Sequence, residues 1–313
     1  MKIKITASIV VYKNKPEVVL QAINSFLESE SHCLIFVVDN SPVNLLSSFI
    51  KDPRIYYIFN GGKNLGFGAA HNIALKRSLE CGSTYHVVLN PDVYFRSNVI
   101  AELTELLDLH PEIGMAMPKV LYPDGRLQPL CKLLPSPATL FFRRFFGAHS
   151  KLLTVKNKSY ELHISGYNKL MDVPFLSGCF MFLRMEAVKK IGIFDERIFL
   201  YTEDIDLTRR MHKHYRTVFY PHATIFHIHE RSSYKNLSAL IWHVRSTITY
   251  FNKWGWFYDP DRDEINRITL LKLRLSLKAE SASAEIQADR QTGFYPSSKE
   301  EAQPEFLEMP LTQ

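Results

Sequence analysis

Four short stretches of the sequence carry side chains able to do chemistry. Asn90-Pro91-Asp92 follows the apolar run Val87–Leu89. A carboxylate at the end of a buried strand, beside a proline that fixes the turn, can hold a hard divalent cation. Such a cation neutralises charge on a departing diphosphate. The same tripeptide also makes an Asx-type turn with no ligand. Tyr201–Arg210 is the densest acidic cluster. With a helix expected over Asp206–Met211, Glu203 and Asp204 fall at its N-terminus, where the helix dipole favours carboxylates. They emerge from the apolar Ile198–Tyr201, a setting that raises a carboxyl pKa toward general-base duty. Plain capping with a solvated face is the alternative.

Asn64–Asn72 is a glycine-rich stretch entering a helix, with Gly66 and Gly68 inside it. It can bring backbone amides and a positive helix end to a phosphate or ribose. It is neither G-x-G-x-x-G, since position 71 is His, nor a P-loop, since no Gly-Lys-Ser/Thr occurs. Tight helix–strand packing asks for glycines as well. His222, His227 and His229 lie close together. Three histidines could hold zinc, but no cysteine or fourth ligand accompanies them, and one histidine completing a carboxylate-bound divalent site suits the ligand chemistry better.

These residues need a scaffold, and the hydrophobic periods supply one. Strand-like runs at Ile5–Val11, Leu34–Val38, Ile55–Phe59 and Tyr85–Leu89 alternate with helical spacing over Glu17–Leu27, Gly68–Leu79 and Ser97–Leu109, the last with Ser97 as N-cap. Alternation of this kind predicts a mostly parallel sheet covered by helices. Ligands bind such sheets beyond the C-terminal strand ends, where Asp39, Gly61-Gly62 and Asn90–Asp92 fall. Further on, Tyr122–Gly125 reads as a hairpin turn. Phe175–Arg184 and Arg216–Tyr220 read as strands, Glu186–Ile191 and Leu237–Phe251 as helices, and Pro129–Pro137 as irregular. The expected division is 1–235 as the catalytic domain, its nucleotide-binding half 1–120 and its acceptor half 120–235. A helical extension over 236–280 and a flexible tail over 281–313 follow.

The 313 residues carry 46% hydrophobic and 22% charged side chains, which excludes wholesale disorder. The net charge of +6 suits phosphates or an anionic membrane surface. Basic residues form no aromatic-interleaved stripe, so no nucleic-acid partner is expected. Cys33, Cys81, Cys131 and Cys179 form no C-x-x-C pair and read as scattered thiols of a reducing compartment. Without a signal-peptide pattern or an apolar run of about 18 residues, the expected location is cytoplasmic. Residues 140–153 would, as a helix, set Arg143, Arg144 and Lys151 opposite Phe141, Phe142, Phe145 and Phe146. That amphipathicity suits a peripheral contact with the inner face of the membrane, or a helix packed on the domain with its arginines reaching outward.

Together, Ser8–Tyr12, Val37–Ser41, Asn64–Asn72, Leu89–Val93, Phe175–Gly178, Ile193–Glu196, Tyr201–Leu207 and His227 resemble, in that order, a family-2 glycosyltransferase of the bacterial rhamnosyltransferase-like branch. The resemblance covers residues 3 to 235. It implies an α/β GT-A fold, one Rossmann-like mostly parallel sheet flanked by helices. It implies an inverting transferase that moves a sugar from a dTDP- or UDP-linked donor to a glycan or polyprenyl-linked acceptor in cell-surface polysaccharide synthesis. By the same resemblance, Tyr12 and Asp39 border the nucleotide base, and Asn64, Gly66, Gly68 and Asn72 line the nucleotide pocket. Asp92 and His227 bind Mg2+ or Mn2+, Asn90 touches the metal or the ribose, and Asp204, with Glu203 beside it, is the catalytic base. Two rival readings remain. A nucleotidyltransferase shares the sheet topology, but Lys13–Pro16 is a poor triphosphate loop. A non-catalytic sugar-nucleotide-binding or scaffold subunit would have no use for Glu203-Asp204.

Overall fold

The computed structural model describes residues 4–96, 98–146, 154–228 and 237–292. Ser97, His229, 147–153 and 293–313, each invoked above, lie outside the described residues. Strands β1 (Ile5–Val11), β2 (Cys33–Asp39), β3 (Ile55–Phe59) and β4 (Tyr85–Leu89) alternate with helices α1 (Pro16–Ser29) and α2 (Phe67–Glu80). Pro16 sits in the first turn of α1, where its missing N–H costs nothing. Val19, Ala22, Ile23 and Phe26 form the stripe that buries this helix on the sheet. After β4 come β5 (Val93–Phe95), α3 (Val99–Leu109), β6 (Ile113–Leu121), β7 (Cys131–Lys132), α4 (Pro137–Phe146) and α5 (Thr154–Tyr160). Then follow β8 (Met171–Asp172), β9 (Phe175–Leu176), β10 (Phe180–Arg184), α6 (Met185–Ile191), α7 (Glu203–His212) and β11 (Arg216–His227). Helices α8 (Leu237–Trp254) and α9 (Pro260–Thr292) close the chain.

Among the described residues nine strands form one sheet in the order β3-β2-β1-β4-β10-β6-β11-β5, with β8 also on β11. β1 to β4 are mutually parallel, β10 runs against both β4 and β6, and β11 runs parallel to β6. The C-terminal ends of β1, β2, β3, β4 and β11 therefore share one edge. β1, β2 and β4 read as near-continuous buried runs because both faces are covered.

Two stretches differ from the expected elements. Phe175–Arg184 is not one strand: β9 pairs with β7, the chain turns at Ser177–Cys179, and β10 enters the main sheet. β11 continues past Tyr220, because its register on β6 shifts between Tyr220 and Thr224. That bulge absorbs Pro221 and His222, lets the strand bend and carries it on to pair with β5.

The chain divides into two compact units, Met1–Leu273 and Arg274–Gln313. In the first, α8 and the start of α9 hold α7. The Arg209 guanidinium, buried, donates to both carboxylate oxygens of Asp259 at 2.7 and 2.6 Å and lies 4.1 Å from the Trp254 ring centre. Buried Asp206 accepts from Arg210 (2.9 Å) and Trp254 (2.8 Å) and pairs with Lys253 at 2.7 Å. In the second unit the described residues are helical to Thr292, so the helix runs past position 280. No helix among the described residues is long and apolar enough to cross a membrane.

Candidate active site

Asp39 ends β2 and is buried. Its Oδ1 accepts the Ser41 backbone N–H at 2.7 Å, and its Oδ2 accepts the Tyr57 hydroxyl at 2.5 Å. Both contacts fix the plane of the carboxylate. Tyr12 follows β1 with its ring exposed and the Lys13 ammonium 5.3 Å from its centre. Half-buried Asn90 follows β4, its backbone N–H donating to the Cys179 carbonyl at 2.9 Å.

Asp92 and His227 meet where the β4 turn reaches the end of β11. His227 Nε2 lies 3.3 Å from Asp92 Oδ1, and the Ile228 backbone N–H donates to the Asp92 carbonyl at 3.1 Å. Gln128 decides the imidazole tautomer. Its Nε2 donates to the His227 carbonyl at 2.6 Å, which leaves its Oε1 facing Nδ1 at 3.0 Å. Nδ1 therefore carries a proton, and Nε2 is the ring nitrogen that faces the carboxylate. With Nε2 unprotonated, this carboxylate oxygen and imidazole nitrogen would suit Mg2+ or Mn2+. Among the described residues no group of three His, Cys, Asp or Glu gathers. His222 sits exposed in the bulge, beside the Tyr220 ring, in keeping with His227 alone joining a carboxylate; His229 lies outside the described residues.

Asp204 lies in the first turn of α7, half-buried. Its Oδ2 accepts the Gly178 N–H (3.0 Å) and its Oδ1 the Ile205 N–H (2.9 Å). Burial pushes its pKa up to about 6, opposed by the Gly178 amide and the Lys132 charge. Tyr201, a non-glycine residue in the left-handed region at φ 92°, makes the turn into the helix. The neighbouring Glu203 carboxyl is buried, its Oε2 has no hydrogen-bond partner, and burial with the Asp204 charge raises its pKa well above the ordinary carboxyl range. Its Cβ packs beside Gly68. Gly178, which donates to Asp204, is followed by Cys179, whose carbonyl accepts the Asn90 N–H, so Asp204 and the Asn90–Asp92 turn both adjoin one short segment.

The glycine-rich stretch divides. Asn64 Oδ1 accepts from the Gly66 N–H (3.0 Å) and from Asn40 Nδ2 (3.3 Å), tying the stretch to the end of β2. Gly66, at φ 84°, lies so close to Phe199 that a Cβ would come 2.4 Å from its carbonyl oxygen, and a Cβ on Gly68 would meet Phe194 at 2.9 Å. These glycines admit the 194–203 segment. Asn72 is fully buried, with Oδ1 accepting the Phe194 N–H (3.0 Å) and Nδ2 donating to the Phe194 carbonyl (2.9 Å) and to Glu196 (3.0 Å). It clamps that segment. Gly66→Ala is expected to cost about 1–3 kcal/mol, from overpacking and an unfavourable φ. A melting temperature equal to wild type would show that Phe199 yields freely.

Sequence reasoning missed Gln128 and Lys132, and gave Gly178 a place in the resemblance but no role. Gln128 gives no local signal, since its partner lies 99 residues away. Lys132 is half-buried, its ammonium 5.2 Å from the Phe175 ring centre, and burial together with the Arg143 charge lowers its pKa. Arg143 does not reach outward as expected. It is largely covered, donating to Glu161 at 2.6 Å and Asn157 at 3.2 Å, while Phe141 and Phe142 are exposed.

Glycosyl transferase family 2 matches residues 8–192. The N-acetylglucosaminyl-diphospho-decaprenol L-rhamnosyltransferase of Mycobacterium tuberculosis is 27% identical over 232 residues, covering 70% of this chain and 74% of that protein. The mannosyltransferase PcManGT from Pyrobaculum calidifontis, solved with GDP-Man and Mn2+, is similar in structure with a TM-score of 0.55 and 14% identity. The likeness covers 94% of this chain and 81% of that one. Staphylococcus aureus TarS is similar with a TM-score of 0.51 and 16% identity over 72% of this chain, which spans 36% of the TarS length. The architecture is GT-A.

Proposed function

The chain belongs to glycosyl transferase family 2, and on that footing we propose that it moves a sugar, rhamnose first among candidates, from a dTDP- or UDP-linked donor to a glycan or polyprenyl-diphosphate-linked acceptor in polysaccharide synthesis. The name of the mycobacterial relative supports both the sugar and the lipid. One observation supports the reading: the Asp92–His227 pair and the separate carboxylate of Asp204 adjoin the same Gly178–Cys179 segment.

Asp39, held in plane by Ser41 and Tyr57, accepts an N–H of the base, and the Tyr12 ring borders it. When held by Asp92 and His227, Mg2+ or Mn2+ supplies neutralisation of the diphosphate charge. Gln128 orients the ring so that Nε2 is the nitrogen presented for that role. Asp204 takes the proton from an acceptor hydroxyl as that oxygen forms its bond to the anomeric carbon. The bond from that carbon to the diphosphate breaks on the opposite face, so one displacement inverts the configuration. The Gly178 and Ile205 amides hold the Asp204 carboxylate for this step.

Thermal shift with UDP, dTDP and GDP, each with and without Mn2+, tests the donor. Binding at 100 times Kd adds about 2.7 kcal/mol of stability. A shift with dTDP or UDP that depends on Mn2+ is expected, together with sugar-dependent release of the nucleoside diphosphate. No shift with any nucleotide, or nucleotide binding without release, would overturn the proposal.

A further inference from the structure

An open groove of about 540 Å3 runs between α4 and α8. Leu140, Phe141 and Phe142 form one wall, Val244 and Ile248 the other, and Trp256 lies beyond them. Phe141, Phe142, Val244 and Ile248 are all exposed, and an apolar concavity of this size is in the range of ligand sites. Its polar side chains are His243 and Thr247. A peptide laid here would leave most of its backbone N–H and C=O groups without partners. A hydrocarbon chain has no such groups to satisfy.

The groove leads toward the candidate base. His243 is in ring contact with Tyr201, three residues before Asp204, at 5.2 Å between centres. Leu140 and Trp256 pack on a small apolar cluster that includes Phe175 and Ile205. Phe175 lies under the Lys132 ammonium, and Ile205 follows Asp204. Lys132 in turn is close enough to Asp204 for the two charges to act on each other. An apolar groove, a half-buried cation and a carboxylate base thus follow one another. A lipid-linked acceptor presents hydrocarbon, diphosphate and sugar hydroxyl in the same order.

We propose that the groove between α4 and α8 holds the prenyl chain of a lipid-diphosphate acceptor, with Lys132 receiving the diphosphate beside Asp204. The proposal rests on the lipid-linked acceptor in the functional reading above. Tryptophan fluorescence, compared between the wild type and Trp256→Phe so that the Trp242 and Trp254 signals are subtracted, reports it, with geranylgeranyl diphosphate as probe against inorganic diphosphate, geranylgeraniol and phosphatidylglycerol vesicles. Geranylgeranyl diphosphate is expected to give a saturable change and inorganic diphosphate none. Val244→Glu and Ile248→Glu alter exposed positions and should fold. Each is expected to weaken the response about ten-fold or more, by setting a charge against hydrocarbon, while leaving the nucleotide thermal shift unchanged. Lys132→Gln should weaken geranylgeranyl diphosphate but not geranylgeraniol. Equal affinity in the two α8 variants, or an equal response to vesicles alone, would overturn the groove assignment. A wild-type chain that binds nucleotide yet ignores geranylgeranyl diphosphate would sink this proposal alone. Absence of nucleotide binding would sink the functional reading instead.

Discussion

Asp204→Asn is expected to lower sugar transfer about 100- to 10,000-fold, the range a positioned general base contributes. Donor affinity should hardly change, because Asp204 faces Gly178 at the start of β10 and not the end of β2. The substitution keeps the side-chain volume, and its amide oxygen can still accept one of the two backbone N–H bonds. The wild-type pH profile is a second readout. A base must be ionised to accept a proton, and burial pushes the Asp204 carboxyl up to about 6. Activity should therefore rise with pH through about 6 and level off above it. The residual activity of the Asn variant should lack that acidic limb. Transfer assays at saturating donor across pH 4.5 to about 8 check both points, and turnover near wild type would move the base elsewhere.

Asp92→Ala is expected to abolish the dependence of nucleotide binding on Mn2+, since it removes one of the two side chains that meet at 3.3 Å. Gln128→Leu supplies the graded comparison. It leaves both candidate ligands in place but frees the imidazole to choose its tautomer, and loss of such an orienting partner costs about 10- to 100-fold in metal affinity. Asp92→Ala should exceed that range. Manganese titrations at fixed nucleotide, followed by thermal shift, separate the two. An unchanged titration in Asp92→Ala would remove the cation from this corner, and one in Gln128→Leu would show that His227 needs no help with its proton.

The parallel half of the sheet was readable because its signals are local. β3 and β4 carry their periods and turn residues within a few positions, and they fall where the hydrophobic runs predict. The acceptor half was harder for a physical reason. Phe175–Arg184 has the composition of one strand, and its break appears only in tertiary pairing, β9 with β7 and β10 with β4 and β6. The strand read as ending at Tyr220 runs on through a bulge that takes in Pro221. Gly66 and Gly68 have the spacing of an anion loop, yet the groups that require them, Phe199 and Phe194, lie far along the chain. The same distance hid Gln128 from His227. Residue types at strand ends were legible, whereas the partners that orient them are set by tertiary packing.

The Arg209–Asp259 pair has a consequence for how the molecule is made. Chains emerge and fold from the N-terminus. A nascent chain complete through β11 has the strand ends of Asp39, Asp92 and His227, but Arg209 still lacks its counter-charge. The Tyr250 and Trp254 rings that cover the Arg209 guanidinium arrive in the same late segment as Asp259, so this side of α7 is solvated until they leave the ribosome and is packed only then. Asp204 rides on that helix. The candidate base is thus carried by the helix whose packing is completed late in synthesis.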